Sequence, residues 1–171
     1  RDVSIEAKAT ALRVECERVG VNLKGADPAE FPPVSLLDGA PAVRIPAGDF
    51  RRAIEQVAFA AAKDEARPVL SGVNLRIGGG ALRLSAADGF RLSIRTHDLA
   101  TTDDVDVIVP ARAMIEVARA IGSDEDEVEV LVASNRTQVG FSVPTLSGRV
   151  LVTTRLLEGV FPDLEIGRAH V

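Results

Sequence analysis

Two stretches of this chain begin alike, 64 residues apart. Val43-Arg44-Ile45-Pro46-Ala47 leads into an apolar stripe at Phe50, Ile54, Val57, Ala58 and Ala61. Val107-Ile108-Val109-Pro110-Ala111 leads into another at Met114, Ala118 and Ile121. Each is a short β-branched run, then Pro-Ala, then residues spaced three and four apart, as on one helical face. Proline is tolerated at a helix mouth because the first N–H groups have no intrahelical partner. The spacing predicts helices over 47–63 and 111–121, the second ended by Gly122 and the acidic residues Ser123-Asp124-Glu125-Asp126. Alternating runs follow each helix: Val69–Ile77, Leu82–Ala86 and Arg91–Thr96, then Val128–Val132, Gln138–Val143 and Arg149–Leu156. Each half therefore reads β-α-β-β-β. Self-similarity at this period marks a duplicated unit. The expected fold class is α+β, with two helices side by side on antiparallel sheets and the halves related by a pseudo-twofold.

Residues 3–24 fit the tail of a further copy. Val3–Ala7, Ala11–Cys16 and Val19–Lys24 alternate as strands with no helix before them. The proline-rich stretch from Ala26 to Pro33 suits neither helix nor strand and serves as a linker. The expected organisation is 1–40 as the end of one domain, 41–165 as a complete second domain, and 166–171 as a non-native tail. That tail, Ile166-Gly167-Arg168-Ala169-His170-Val171, has no periodicity or turn logic, and a common sequencing-library adaptor would encode it. With only Met114 present and strands already under way at residue 3, the chain reads as a fragment whose start is missing.

The charge balance narrows the functional classes. There are 20 basic and 25 acidic residues, a net charge of −5. Nucleic-acid binding by bulk charge is disfavoured unless the cations share one face. With six Phe and no Tyr or Trp, base-stacking platforms for single strands are disfavoured too. One cysteine rules out an internal disulfide framework or a cysteine-rich zinc site, and two histidines are too few for a histidine metal centre. Cys16 reads as a small, buried or half-buried apolar side chain. No apolar run reaches the ~20 residues of a membrane span. The chain is expected to be cytoplasmic, away from membranes, and without metal or cofactor.

No catalytic constellation emerges. Gly78-Gly79-Gly80 lacks the Lys-Ser/Thr of a phosphate loop and precedes a strand, so it reads as a hairpin turn. Asp88 and His97 could form an acid/base pair, yet no nucleophile elbow accompanies them. Asp88-Gly89 instead fits a turn between strands. The acidic run Asp124–Glu127 reads as a solvated loop.

Off the apolar stripes the first helix carries Arg51, Arg52, Glu55, Gln56 and Lys63, the second Arg112, Glu116 and Arg119. Arg112–Glu116 and Glu116–Arg119 have helical ion-pair spacing, so a solvated, salt-bridged face accounts for them. If the helices lie side by side, their cations instead share a surface suited to phosphate contacts without base reading.

The stretches Asp64-Glu65-Ala66-Arg67-Pro68-Val69-Leu70-Ser71-Gly72-Val73 and Leu82-Arg83-Leu84-Ser85-Ala86-Ala87-Asp88-Gly89-Phe90-Arg91-Leu92 resemble the "RPxLxGV … ATDGxRL" signature of the bacterial sliding clamps, the beta subunits of DNA polymerase III. Leu156-Leu157-Glu158-Gly159-Val160-Phe161-Pro162-Asp163 resembles that family's "LxxGxFPD" signature. Phe31-Pro32 and Ile45-Pro46-Ala47 match its domain boundary and following helix start. The likeness spans about residues 1–165.

The resemblance implies a non-catalytic processivity factor for DNA replication. Two three-domain chains close as a homodimeric ring around duplex DNA, helices inside and sheets outside. Its partners are the polymerase catalytic subunit, the clamp loader, and repair and translesion polymerases, which dock short peptides in a hydrophobic groove. Carried over by motif, the groove wall is Leu70, Ala87, Gly89, Phe90, Leu92 and Pro162, with Arg67 close by. The expected DNA-facing cations are Arg51, Arg52, Lys63, Arg67, Arg112 and Arg119. The fragment is expected to be monomeric, because the family's dimer contacts lie in segments it lacks. Ala87 replaces the usual Thr, and Phe90 stands where His is frequent, making the rim more apolar. Two other readings are a clamp-fold peptide-binding module without a DNA role, and a hydrolase using Asp88 and His97.

Overall fold

The structure, a computed structural model, describes residues 2–31, 37, 43–64, 67–101 and 103–163. The 40/41 boundary, Pro32, Glu65, Ala66 and the tail with His170 lie outside the described residues. The chain divides into two compact units, Arg1–Leu36 and Leu37–Val171.

The first unit is an antiparallel meander of β1 (Val3–Lys8), β2 (Ala11–Cys16) and β3 (Val19–Lys24). Its register places Val3 opposite Cys16, Ile5 opposite Val14 and Ala7 opposite Leu12, and continues with Leu12–Leu23, Val14–Val21 and Cys16–Val19. Strand alternation puts all of these on one face. Ile5, Val19, Val21 and Leu23 are exposed, whereas Cys16 is half-buried.

The second unit holds the duplicated halves. The first is β4 (Val43–Pro46), α1 (Ala47–Val57), β5 (Gly72–Gly78), β6 (Ala81–Ala87) and β7 (Leu92–Asp98). The second is β8 (Val105–Pro110), α2 (Ala111–Ala120), β9 (Glu127–Val132), β10 (Gln138–Thr145) and β11 (Gly148–Arg155). The two four-stranded sheets run β7-β6-β5-β8 and β11-β10-β9-β4. Each half lends its leading strand to the other half's sheet, in the same position. That exchange is the arrangement a pseudo-twofold demands. α1 and α2 lie against one another, and each touches strands of both sheets.

The repeat is also visible in the core. Phe50 and Met114, Ala53 and Val117, Ile54 and Ala118, Val57 and Ile121 occupy matching positions, and all are buried. Where one half has the smaller side chain at one step, it has the larger at the next, which conserves packed volume.

Two boundaries differ from the sequence expectation by more than two residues. The first helix was expected to reach residue 63; α1 ends at Val57 and tightens into a 3-10 turn over Ala58–Ala60. Ala61 is extended, and the Ala62 N–H donates to the Leu70 carbonyl at 2.8 Å rather than back along a helix. The strand expected from Val69 begins at Gly72 instead, because Pro68–Ser71 forms a 3-10 turn with proline in its first turn. α1 has no side-chain cap. The carbonyls of Asp126 and Asp124 accept from the N–H groups of Ala47 and Gly48 at 2.8 and 3.3 Å. The acidic loop thus satisfies donors a helix start leaves open.

Candidate binding groove and cationic helix face

On β6, Leu82, Leu84 and Ala86 point into the core. On β7 the Ser93 hydroxyl donates to the Gln56 carbonyl of α1 at 2.6 Å, and His97 Nε2 lies 3.3 Å from Asp49 of the same helix. Alternation therefore turns Arg83, Ser85, Ala87, Leu92, Ile94 and Thr96 to the opposite, outer face. Ala87 and Leu92 are directly paired across the strands. Leu92 is 49% exposed. A leucine held open on a sheet face is an available apolar wall.

The turn joining β6 and β7 is tightly held. The Asp88 carboxylate accepts from the backbone N–H groups of Phe90 at 3.0 Å and Arg91 at 2.8 Å, and from Arg91 Nε at 2.9 Å. These donors favour the charged form and bring its pKa down to about 2. Gly89 has φ +94°, a conformation side chains with a Cβ resist. Phe90, at the tip, is 96% exposed.

Arg67, expected both near the groove and among the DNA-facing cations, stands at this turn. Its Nη2 donates to the Asp88 carbonyl at 3.5 Å, and its guanidinium lies 3.3–3.5 Å from where a Cβ on Gly89 would sit. Leu70, in the adjoining 3-10 turn, is buried, so its side chain serves packing as much as any open wall.

Pro162 belongs to the segment that follows β11. The Leu157 N–H donates to the Ile108 carbonyl at 2.9 Å, and Gly159 passes Val69 closely enough that an added Cβ would sit 2.6 Å from Val69 Cγ2. Between this segment and the outer sheet face lies an open cleft of about 1130 Å³, bordered by Ser85 and Pro162 among others. Ser85 is one same-face step from Ala87. The structure thus brings Ala87, Gly89 and Leu92 together by register and turn, keeps Leu70 buried in the 3-10 turn that follows Arg67, places Pro162 along the same outer face, and leaves Phe90 projecting into solvent.

The alternative acid/base pair of Asp88 and His97 does not form, and Asp88-Gly89 makes the expected turn. His97 faces Asp49, while Asp88 is occupied with its own turn at the other end of β7. Asp49 also accepts from Arg52 at 2.6 Å, which, with His97 beside it, lowers its pKa. Among the described residues no group of three His, Cys, Asp or Glu is placed to hold a metal ion.

The helix face is less positive than its arginines suggest. Arg51 pairs with Asp124, Arg52 with Asp49, and Arg119 with Glu116 at 2.8 Å. Arg112 is exposed and makes no ion pair within the described residues. Lys63 is exposed too, but it lies beyond the end of α1. Reading the sequence missed Arg91, whose guanidinium stands 5.9 Å over the half-open ring of Phe59. No local spacing announces a contact between residues so far apart.

The family profile of the DNA polymerase III beta subunit, central domain, matches residues 44–163. The chain is 34% identical over 143 residues to the beta sliding clamp of Staphylococcus aureus, covering 83% of this chain and 36% of that protein. It is 32% identical over 145 residues to the beta sliding clamp of Halalkalibacterium halodurans, covering 82% of this chain and 37% of that one. The crystal structure of the DNA polymerase III subunit beta from Pseudomonas aeruginosa superposes with a TM-score of 0.82 at 29% identity, over 96% of this chain and 44% of that one. The chain therefore spans little more than a third of the length of these curated relatives.

Proposed function

The chain belongs to the family of bacterial DNA polymerase III beta subunits, the sliding clamps, and from that membership we propose that it forms the middle of a clamp that holds replication proteins on duplex DNA. One observation carries the reading: the profile of the central domain covers residues 44–163, the span that folds as two strand-exchanged β-α-β-β-β halves with adjacent helices. In this reading residues 1–40 end a first domain and 41–165 are the whole middle domain.

The protein acts without turnover. The ring closes topologically, so retention on DNA needs no base contact, only enough positive charge on the inner helices to keep the phosphates near. Arg112 supplies this most directly. Arg51, Arg52 and Arg119 supply it after loosening their carboxylate partners, and Lys63 lies just past the first helix. Polymerase and repair partners dock from outside. An apolar side chain of a partner peptide rests on Ala87 and Leu92, with Pro162 flanking and Arg67 at the rim. Burying one such side chain contributes about 1.5–3 kcal/mol.

The test is the full-length protein loaded onto circular duplex DNA. A clamp stays on the closed circle and runs off once the DNA is linearised. Equal retention on both forms points to ordinary DNA binding. No retention on either favours a peptide-binding module of the same fold without a DNA role, a reading to which the three paired arginines of the helix face lend support.

A further inference from the structure

The outer sheet face carries an arrangement that the groove does not use. Arg76 of β5 and Arg83 of β6 stand directly opposite one another. Like charges paired across antiparallel strands destabilise a sheet. Arg76 has a distant counter-charge in Asp106, at 3.8 Å. Asp106 is itself held by the Asn74 amide at 2.8 Å. Arg76 and Arg83 border the 1130 Å³ cleft, and Arg136 and Arg155 border it as well. Against these four cations the cleft has three carboxylates, Asp106, Glu158 and Asp163. Its rim is thus positive by one charge within a chain whose net charge is −5.

The cleft continues from the groove. Arg83, Ser85 and Ala87 share one face of β6, so Arg83 lies two same-face steps, about 13 Å, from Ala87. Pro162 borders the cleft together with Ser85. An extended peptide seated on Ala87 and Leu92 would reach Arg83 within about four residues. From this continuity and charge, and resting on the groove reading above, we infer that the partner segment is an apolar anchor with an acidic flank, the flank lying in the arginine-bordered cleft over β5 and β6.

The experiment titrates this chain with three synthetic peptides by fluorescence anisotropy at low and high salt. The first carries a Leu-Phe anchor with three Asp on each side. The second has Asn in place of every Asp. The third keeps the Asp residues and replaces the anchor by Ser-Ser. The first should bind about three- to tenfold more tightly than the second, and the advantage should shrink as salt screens the exposed charges. Arg76→Gln with Arg83→Gln should erase that advantage and leave the second peptide's affinity unchanged. Arg155→Gln should reduce it in part. Circular dichroism melts check that each variant stays folded. Equal affinity of the first two peptides, or an advantage that survives the double substitution, overturns the inference while leaving the groove intact. Binding of the third peptide without the second sinks the groove and keeps the cleft. A 12-nucleotide single-stranded DNA that outcompetes the Asp peptide, with the same arginine dependence, reassigns the cleft to nucleic acid and overturns the acidic-flank reading.

Discussion

Phe50 of α1 stacks on Phe141 of β10, with ring centroids 5.9 Å apart and planes inclined by 30°. Both rings are fully buried. The contact joins the helix of one half to the central strand of the other half's sheet. Phe50→Ala removes the stack and leaves a cavity, and should cost about 3–5 kcal/mol. Met114→Ala, at the matching position of the second half, should cost about 2–5 kcal/mol. Urea unfolding of each variant measures this. A loss below about 1 kcal/mol for Phe50→Ala would show that the halves do not depend on this contact.

The Asp88 turn should respond to acid at an unusually low pH. Its folded pKa, about 2, lies below the ordinary 3.8 because Phe90 and Arg91 donate to the ionised form. A depressed pKa means the contribution is complete above about pH 4 and is lost as pH falls through about 2. Carbon-detected NMR of the Asp88 carboxyl group should place the midpoint near the lower value. In Asp88→Asn one oxygen can still accept from the backbone, but the charge facing Arg91 is gone. The acid-dependent shift of the Phe90 and Arg91 amide signals should then vanish.

The groove is best tested at Leu92. Gly89→Leu would force a side chain into φ +94° and against the Arg67 guanidinium, so lost binding could reflect a broken turn. Leu70→Lys would bury a charge at a site only 8% exposed and risk unfolding. Leu92→Lys changes a half-open position. Peptide affinity should fall at least tenfold while the melting temperature moves by no more than a few degrees. Phe90→His, at the exposed tip, should weaken binding only about two- to threefold. Unchanged affinity in a folded Leu92→Lys variant would remove the groove assignment.

The cations of the helix face should not contribute equally in the closed ring. Arg112→Gln removes a charge with no carboxylate partner among the described residues and should lower the salt slope of duplex binding by up to about 0.9 if it meets one phosphate. Arg119→Gln removes a charge already paired with Glu116, so its effect on the slope should be smaller. Titrating the full-length protein with duplex DNA across several salt concentrations compares them. Equal slopes for both variants and the parent would make this face a solvated surface only.

The first unit bears on self-association. The exposed Ile5, Val19, Val21 and Leu23 form an apolar face that water solvates poorly. This works against the monomer expected from the position of the ring contacts. Sedimentation of this chain should show association that rises with concentration. Ile5→Lys with Val21→Lys, both on that face, should shift it towards monomer. A parent chain that stays monomeric at 100 micromolar, a value of about the order used for weak dimers, would mean that the face is not adhesive.

Much of the architecture was legible in local patterns. Val-x-Ile/Val-Pro-Ala marks both helix starts, because proline sets the backbone there and needs no hydrogen bond. Alternation delimits β2 and β3 to the residue. Gly79-Gly80 makes the two-residue hairpin between β5 and β6, both with positive φ. The groove residues on β6 and β7 share a face by period two alone. These features depend on neighbours a few residues away, and the sequence carries them directly. What tertiary structure decided involves partners far along the chain. Ala58–Ala62 could continue a helix as easily as leave one; the Leu70 carbonyl decides by taking the Ala62 N–H. β4 pairs with β9 and β8 with β5, an exchange that strand periodicity cannot express because it describes a face and not a neighbour. Arg51 is spaced like a free helix cation, yet it is partnered by Asp124, 73 residues on. Arg67 joins the groove turn because its guanidinium reaches the Asp88 carbonyl, 21 residues on. Local spacing determines which side chains share a surface, whereas only packing brings distant surfaces together and sets which charges remain available to a ligand.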